Sequence, residues 1–207
     1  MKRFFMKILV FFALKCRIYY IWSRLYRILL ESQYRKDKLP VYDDIDRLHE
    51  TLRGMTWVRD TSLQLWDAVS YPTATYYRDL HGEGAGDCDD ISMFAITCIA
   101  VMNANGVELS SVIKRPIIGS EGMMSCPCIK SDGTIGGHNV GIFEYIDKNG
   151  NRRWAHVSNW HKSRLQLNFV SKEAIARHVV ESMAGKSLGW AICDINLKLR
   201  EYHWRLK

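Results

Sequence analysis

Cys88 has the setting in this chain that points most directly to chemistry. It lies in the stretch HGEGAGDCDDISMFAITC (residues 81–98), where three alternating glycines lead into a thiol flanked by Asp87, Asp89 and Asp90. Apolar residues then recur at helical spacing, at Ile91, Phe94, Ala95, Cys98, Ile99 and Met102. This pattern predicts a helix that begins at Cys88 and ends at NANG, residues 103–106. In the first turn of a helix, unpaired N–H groups and the positive end of the helix dipole stabilise a thiolate.

The surroundings of Cys88 leave two interpretations open. The neighbouring aspartates favour a helix start but disfavour a thiolate, so a nucleophile at this position needs a further basic or positive group. Cys98 lies in the apolar stripe of the same helix and is predicted to be a buried, unreactive thiol. Cys88 is therefore either a catalytic nucleophile or a structural loop thiol, and the choice depends on a histidine elsewhere in the chain.

His138 has the most suggestive setting of the seven histidines. Two glycines precede it in GTIGGHNVGIF, and a strand is predicted over residues 138–145. A turn at Asn149-Gly150 and a returning strand over residues 152–160 follow. Because Asn-Gly is a strong signal for a β-hairpin, the two strands are expected to pair, and a side chain on the second strand can orient His138.

The length of the hairpin loop decides which side chain that is. A two-residue loop pairs Val140 with Asn159 and places Asn159 on the sheet face of His138. A three-residue loop reverses the alternation and puts His156 and Ser158 on that face instead. Since the turn sequence favours the two-residue loop, Asn159 is the predicted partner of His138.

Together Cys88, His138 and Asn159 correspond to the Cys-His-Asn arrangement of thiol enzymes. Three segments, YPTATYYRDLHGEGAGDCDDISMFAITCIAVMNANGVELSSV, GHNVGIF and WAHVSNW, resemble the transglutaminase-like superfamily of papain-like enzymes, and its bacterial cysteine-proteinase branch most of all. The resemblance spans about residues 57–162. It implies an α+β fold with a papain-like core, in which the nucleophile begins a central helix that packs on an antiparallel β-sheet.

The resemblance also assigns roles to individual residues. The family's nucleophile corresponds to Cys88 and its base to His138. The third member is usually an aspartate, but the matching dipeptide here is Ser158-Asn159. A literal alignment selects Ser158, whereas the predicted hairpin register selects Asn159, which is therefore the expected third member. Such a change affects the catalytic rate more than the type of reaction, because a neutral group does not stabilise imidazolium by charge.

Two further expectations concern the surroundings of the thiol. Some relatives in the proteinase branch bind calcium through acids beside the nucleophile, which here would be Asp87 and Asp89; helix capping is the alternative for these residues, and no other cofactor is predicted. Gln64 or Trp66 is a candidate to complete an oxyanion hole with the N–H group of Cys88.

The predicted function is a cysteine-dependent acyl-transfer enzyme, a peptidase or amidase that acts on a protein or peptide through a thioester. Hydrolysis and cross-linking are both open. One alternative is a catalytically weak or inactive protein that keeps the fold as a structural or binding component of an assembly. Another is a cell-wall amidase or peptidase acting on peptidoglycan peptides.

The N-terminal arm, residues 1–39, differs in composition from the predicted enzyme domain, residues 40–207. Residues 1–38 hold ten Lys/Arg and two Asp/Glu, a net charge of +8, whereas the rest of the chain is nearly neutral. The arm is predicted to be a basic, apolar helix that lies on a membrane surface, docks on the domain or a partner, or serves as an export signal. Membrane or envelope association is favoured, and its many aromatic residues disfavour nucleic-acid binding.

The remaining pattern predicts three elements. Residues 107–113 follow the central helix as a strand, SKEAIARHVVESM forms a helix capped by Ser171, and WAICDINLKL alternates as a single final strand. The pair Cys126-Pro127-Cys128 has no second pair at zinc spacing, so it is interpreted as reduced thiols and not as a metal site.

Overall fold

The fold is mixed α+β and contains one large antiparallel sheet, as expected from the sequence. The computed structural model describes residues 19–29, 31, 38–58, 69–77, 84–159 and 165–204. Its helices are α1 (residues 19–29), α2 (Ile45–Gly54), α3 (Pro72–Tyr77), α4 (Cys88–Ala104) and α5 (Lys172–Ser182). Its strands are β1 (Thr56–Trp57), β2 (Ala85–Gly86), β3 (Ile113–Pro116), β4 (Gly122–Lys130), β5 (Ile135–Asp147), β6 (Arg152–Val157), β7 (Gln166–Phe169), β8 (Gly185–Ser187), β9 (Gly189–Cys193) and β10 (Leu199–Trp204).

Strand β5 is at the centre of the large sheet. The strand order is β10-β9-β4-β5-β6-β7, with β3 paired to the second half of β5 and β8 paired to β4. All of these pairs are antiparallel, while β1 and β2 form a separate parallel pair, of which β2 leads into α4. The 13-residue β5 therefore joins the two halves of the sheet.

Helix α4 begins at Cys88 and ends at Ala104, which confirms the predicted helix. Asp87 is its N-cap and accepts a hydrogen bond from the N–H of Asp89, as short polar side chains commonly do at this position. The whole predicted apolar stripe is buried, and so are residues outside the stripe such as Met93 and Ile96. A helix that is apolar on nearly every side belongs in the interior, and α4 is the central helix of the domain.

The large sheet is covered by a different helix on each face. On one face, Phe143 and Tyr145 of β5 pack with α4 and with Leu48 and Leu52 of α2. On the other face, Val140 and Ile142 of β5 pack with the apolar side of α5. The alternation of side chains along β5 therefore assigns each residue to the α4 layer or to the α5 layer.

Gly141 allows close packing between α4 and β5. A β-carbon at this position would lie 2.3 Å from Cγ2 of Ile96 and 3.0 Å from Cγ1 of Val157. Both are shorter than ordinary carbon–carbon contacts, so a side chain at position 141 would push the helix away from the strand. This glycine fixes α4 directly over the first half of β5.

The predicted two-residue hairpin register was wrong. The turn between β5 and β6 has three residues, because the N–H of Asp147 bonds to the carbonyl of Asn151 and Ile146 pairs with Arg152. Asp147 Oδ1 accepts hydrogen bonds from the N–H groups of Asn149 and Asn151, and Gly150 takes a left-handed conformation with φ of 84°. The aspartate before the Asn-Gly pair thus stabilises the longer loop, a type I turn followed by a left-handed glycine.

Three smaller predictions have mixed outcomes. Ser171 caps α5 and accepts from the N–H of Ala174, as predicted. Residues 107–112 are not a strand, and β3 begins only at Ile113. The predicted single final strand is two strands, β9 and β10, joined by a turn in which Asp194 Oδ1 accepts from the N–H groups of Asn196 and Lys198.

The described part of the N-terminal arm lies against the domain. Tyr20 packs with Met93, Ile96 and Met123, and its hydroxyl lies 3.3 Å from that of Ser125. Among the residues that the structure describes, no helix has the length and apolar character that crossing a membrane would require. Residues 1–18 of the arm lie outside the described residues.

Candidate active site

The thiol of Cys88 lies in the first turn of α4 and is partly exposed. The side chain of Asn139, on β5, donates from Nδ2 to Cys88 Sγ at 3.6 Å. The backbone carbonyl of Asn139 accepts a hydrogen bond from Ser92 Oγ at 2.8 Å, one turn along α4. Two hydrogen bonds therefore hold this amide against the helix that carries the thiol.

Asn139 is a site residue that the sequence analysis did not identify. The sequence places Asn139 directly after His138 on the predicted strand. Because side chains alternate along a strand, Asn139 must lie on the face of β5 opposite His138. The register of β4 against β5 runs without interruption from Gly122 to Ile129, so this alternation holds at Asn139. Asn139 therefore lies on the face of β5 that packs against α4, and His138 lies on the face that packs against α5.

The four other cysteines that the structure describes are buried thiols, Cys98, Cys126, Cys128 and Cys193, and none of the described cysteines forms a disulfide. Burial raises the pKa of the thiols of Cys98, Cys126 and Cys193, the last to about 12. These groups resist ionisation, as predicted for Cys98. Within the described part of the chain, Cys88 is thus the most accessible thiol.

His138 is buried, and its Nε2 lies 2.7 Å from Oγ of Ser158, the residue directly after β6. The prediction of Asn159 as the partner of His138 was wrong, because the three-residue loop places Ser158 on the His138 face. Asn159 Oδ1 is buried and has no hydrogen-bond partner among the described atoms. The literal alignment with the resembling family selected the residue that contacts the histidine.

The aspartates beside Cys88 have structural partners. Asp89 Oδ1 accepts from the N–H of Asp90, and Asp89 Oδ2 accepts from the hydroxyl of Tyr19 on α1. Asp90 Oδ1 accepts from the N–H of Ser70 at 2.6 Å. Burial raises the pKa of Asp89 to about 6.

One potential ligand atom each from Asp87, Cys88 and Asp89 lies within 4.8 Å of the others. However, Asp87 caps the helix and both oxygens of Asp89 already accept hydrogen bonds. These contacts account for the two carboxylates as parts of the helix start, and the expected calcium site stays a prediction. The candidate oxyanion-hole residues Gln64 and Trp66 lie outside the described residues.

A comparison with protein-family models, curated proteins and solved structures finds no match for this chain.

Proposed function

We propose that this protein is a cysteine-dependent acyl-transfer enzyme, with a transglutaminase-like core, that acts as a peptidase or amidase on a protein or peptide substrate. The observation that carries the proposal is the accessible thiol of Cys88 in the first turn of α4, bonded to Asn139, the residue next to His138. Thioester chemistry requires a thiol, an amide donor and a histidine, and this histidine is hydrogen-bonded to a hydroxyl.

His138 acts as the general base in this proposal. Its Nε2 is bonded to Ser158, so Nδ1 is the ring nitrogen that would take the proton from Cys88. The thiolate then attacks the amide carbonyl carbon and forms a carbon–sulfur bond, and the carbonyl oxygen becomes an oxyanion. When the tetrahedral intermediate collapses, the carbon–nitrogen bond breaks and the leaving amine takes the proton from His138.

Asn139 has a second task in the same mechanism. Its amide already donates to the sulfur at 3.6 Å, so in this mechanism it would turn its N–H toward the oxyanion together with the N–H of Cys88. These two neutral donors would stabilise the developing charge. Water, activated by His138, then attacks the thioester; the carbon–sulfur bond breaks, an acid is released and the proton returns to Cys88.

Ser158 orients the imidazole without adding charge. An aspartate at this position would stabilise the imidazolium that forms during acylation, and a hydroxyl does so less strongly. The proposed enzyme is therefore slow relative to one with an acid as third member, while its reaction type is unchanged.

The second candidate function is a non-catalytic binding component with the same fold. It is favoured by the position of His138, which shares its side of β5 with Val140 and Ile142 in the α5 layer, whereas Cys88 begins the helix of the opposite layer. In this case the histidine would stabilise the strand pair with Ser158, and Cys88 would not act as a nucleophile.

Alkylation kinetics on the full chain separate the two functions. The rate of carbamidomethylation by iodoacetamide is measured for each cysteine by mass spectrometry, between pH 5 and 9, for the wild type, His138→Ala and the exposed control His203→Ala. The enzyme proposal predicts that Cys88 reacts about tenfold or more faster than Cys98, and that only His138→Ala slows Cys88 at neutral pH. An unchanged Cys88 rate in folded His138→Ala, across the whole pH range, contradicts the proposal and supports the non-catalytic component.

A further inference from the structure

Helix α1 buries polar side chains against the domain and exposes large apolar ones, next to the exposed Arg24. Tyr20, Ser23 and Arg27 of α1 are buried against the domain at helical spacing, and so is Glu31, which follows the helix; all but Tyr20 are polar or charged. The opposite side exposes large apolar side chains, with exposed fractions of 58% for Ile21, 46% for Leu25, 60% for Ile28 and 68% for Leu29. We call these four residues the outer face. A helix on the surface of a globular protein normally has the reverse arrangement.

Specific hydrogen bonds fix this orientation. Arg27 donates from Nε to the carbonyl of Val69 at 3.0 Å and from Nη2 to the carbonyl of Ser70 at 2.6 Å. Ser23 Oγ accepts from the N–H of Val69, and Glu31 Oε2 accepts from the N–H of Tyr71. Turning the outer face inward would break these bonds and leave the backbone groups of residues 69–71 without their partners, so the helix is held in this orientation.

The buried position of Arg27 is costly and therefore informative. Burial lowers the pKa of its guanidinium to about 10, although Asp90 and Glu31 partly offset this effect. A charged group is removed from water here, while four large apolar side chains remain in water on the same helix. This distribution indicates an apolar environment outside the outer face.

The charge of the arm identifies that environment. Residues 1–18, which precede α1, contain five Lys/Arg and no Asp/Glu, and residues 1–38 carry a net charge of +8. A second copy of the same chain would bring two strongly basic arms together, which electrostatic repulsion opposes. A bilayer that contains anionic lipids offers both an apolar interior and complementary negative charge.

We propose that the outer face of α1, Ile21, Leu25, Ile28 and Leu29, inserts into the surface of an anionic bilayer, while the polar face of the same helix holds the domain. The helix then lies parallel to the membrane surface, with lipid on one side and the domain on the other. This proposal does not depend on catalysis by Cys88.

Vesicle partition of the full chain tests the proposal. Binding to phosphatidylcholine vesicles, with and without phosphatidylglycerol, is measured by flotation for the wild type and for Ile28→Ser/Leu29→Ser. A matched control, Ile118→Ser/Val170→Ser, removes two apolar side chains that are 69% and 71% exposed elsewhere on the domain. The wild type should bind vesicles that contain phosphatidylglycerol, and the outer-face variant should bind them about tenfold or more weakly, with the control unchanged.

The same experiment has outcomes that overturn the proposal. Wild-type binding by the outer-face variant would mean that residues before α1 anchor the chain alone. A wild-type dimer that the variant converts to a monomer, with no vesicle binding by either, would assign the face to a second copy. Because the substituted side chains are exposed, the variants should melt as the wild type does; a second pair, Ile21→Ser/Leu25→Ser, tests the same face if the first pair does not fold.

Discussion

The two faces of the large sheet differ in how they use polar residues. The α4 face is an apolar core with polar groups at both ends of the helix, Cys88 and Asn139 at its beginning and Asn103, which donates to Glu121, near its end. The α5 face contains buried polar side chains within the sheet itself, with His138, His156 and Ser158 on neighbouring strands. Consecutive residues of β5 therefore serve different layers, and the proposed site exists only if the groups of both layers meet at the beginning of this strand.

The largest expected effect separates the two cysteines of α4. Cys88→Ala should lower acyl transfer by about a thousandfold or more, since the nucleophile is lost, while Cys98→Ala should change stability and leave the rate per folded molecule close to the wild type. The reaction is measured by the release of p-nitrophenol from p-nitrophenyl acetate. The expected burst is one p-nitrophenol per chain, because each release leaves one acetyl group on the enzyme. A burst that persists in Cys88→Ala would contradict the assignment of Cys88 as the nucleophile.

The next effect tests the α5 face. Ser158→Ala should slow acylation by about tenfold to a hundredfold, because His138 loses the group that orients its ring. Asn159→Ala should have little effect, since its side-chain oxygen contacts no described donor. The burst rate at saturating reagent is the measurement; a silent Ser158→Ala together with an impaired Asn159→Ala would show that the observed register does not govern the site.

A packing variant tests how closely the two layers are joined. Gly141→Ala should destabilise the fold by about 1–3 kcal/mol, because the new methyl group would overlap Cγ2 of Ile96. Ile96→Ala removes that atom, so the double variant should be more stable than the sum of the two single changes predicts. Urea denaturation of the four chains measures the coupling, and simple additivity would contradict the close contact of α4 with β5.

The smallest effect concerns the carboxylate at the helix start. Because burial raises the pKa of Asp89 from its usual 3.8 to about 6, its ionisation opposes folding, and this contribution makes the folded state less stable as pH rises from about 4 to 6. Asp89→Asn removes that dependence. Relative to the wild type, the variant should gain roughly 2 °C or more in melting temperature between pH 5 and pH 7.5. A difference that does not change with pH would show that Asp89 titrates normally.

The sequence predicted the elements whose signals are local. The helix from Cys88 to Ala104 followed from apolar spacing, a capping aspartate and a terminal glycine, and the cap of α5 followed from Ser171. Burial of Cys98 followed from its place in the stripe. In each case the residues that decide the structure lie within a few positions of one another, so the pattern alone contains the physical cause.

The tertiary structure decided what depends on register and on distant partners. Asn149-Gly150 indicated a hairpin, but the side chain of Asp147 selected the three-residue loop, and one residue of register exchanged Asn159 for Ser158 beside His138. The role of Asn139 required α4 to lie over β5, which depends on the small size of Gly141. The sequence likewise showed that the arm is basic and apolar, whereas the burial of Arg27 required carbonyl groups more than forty residues away. Strand alternation turns a shift of one residue into a change of face, and a local pattern does not contain that information.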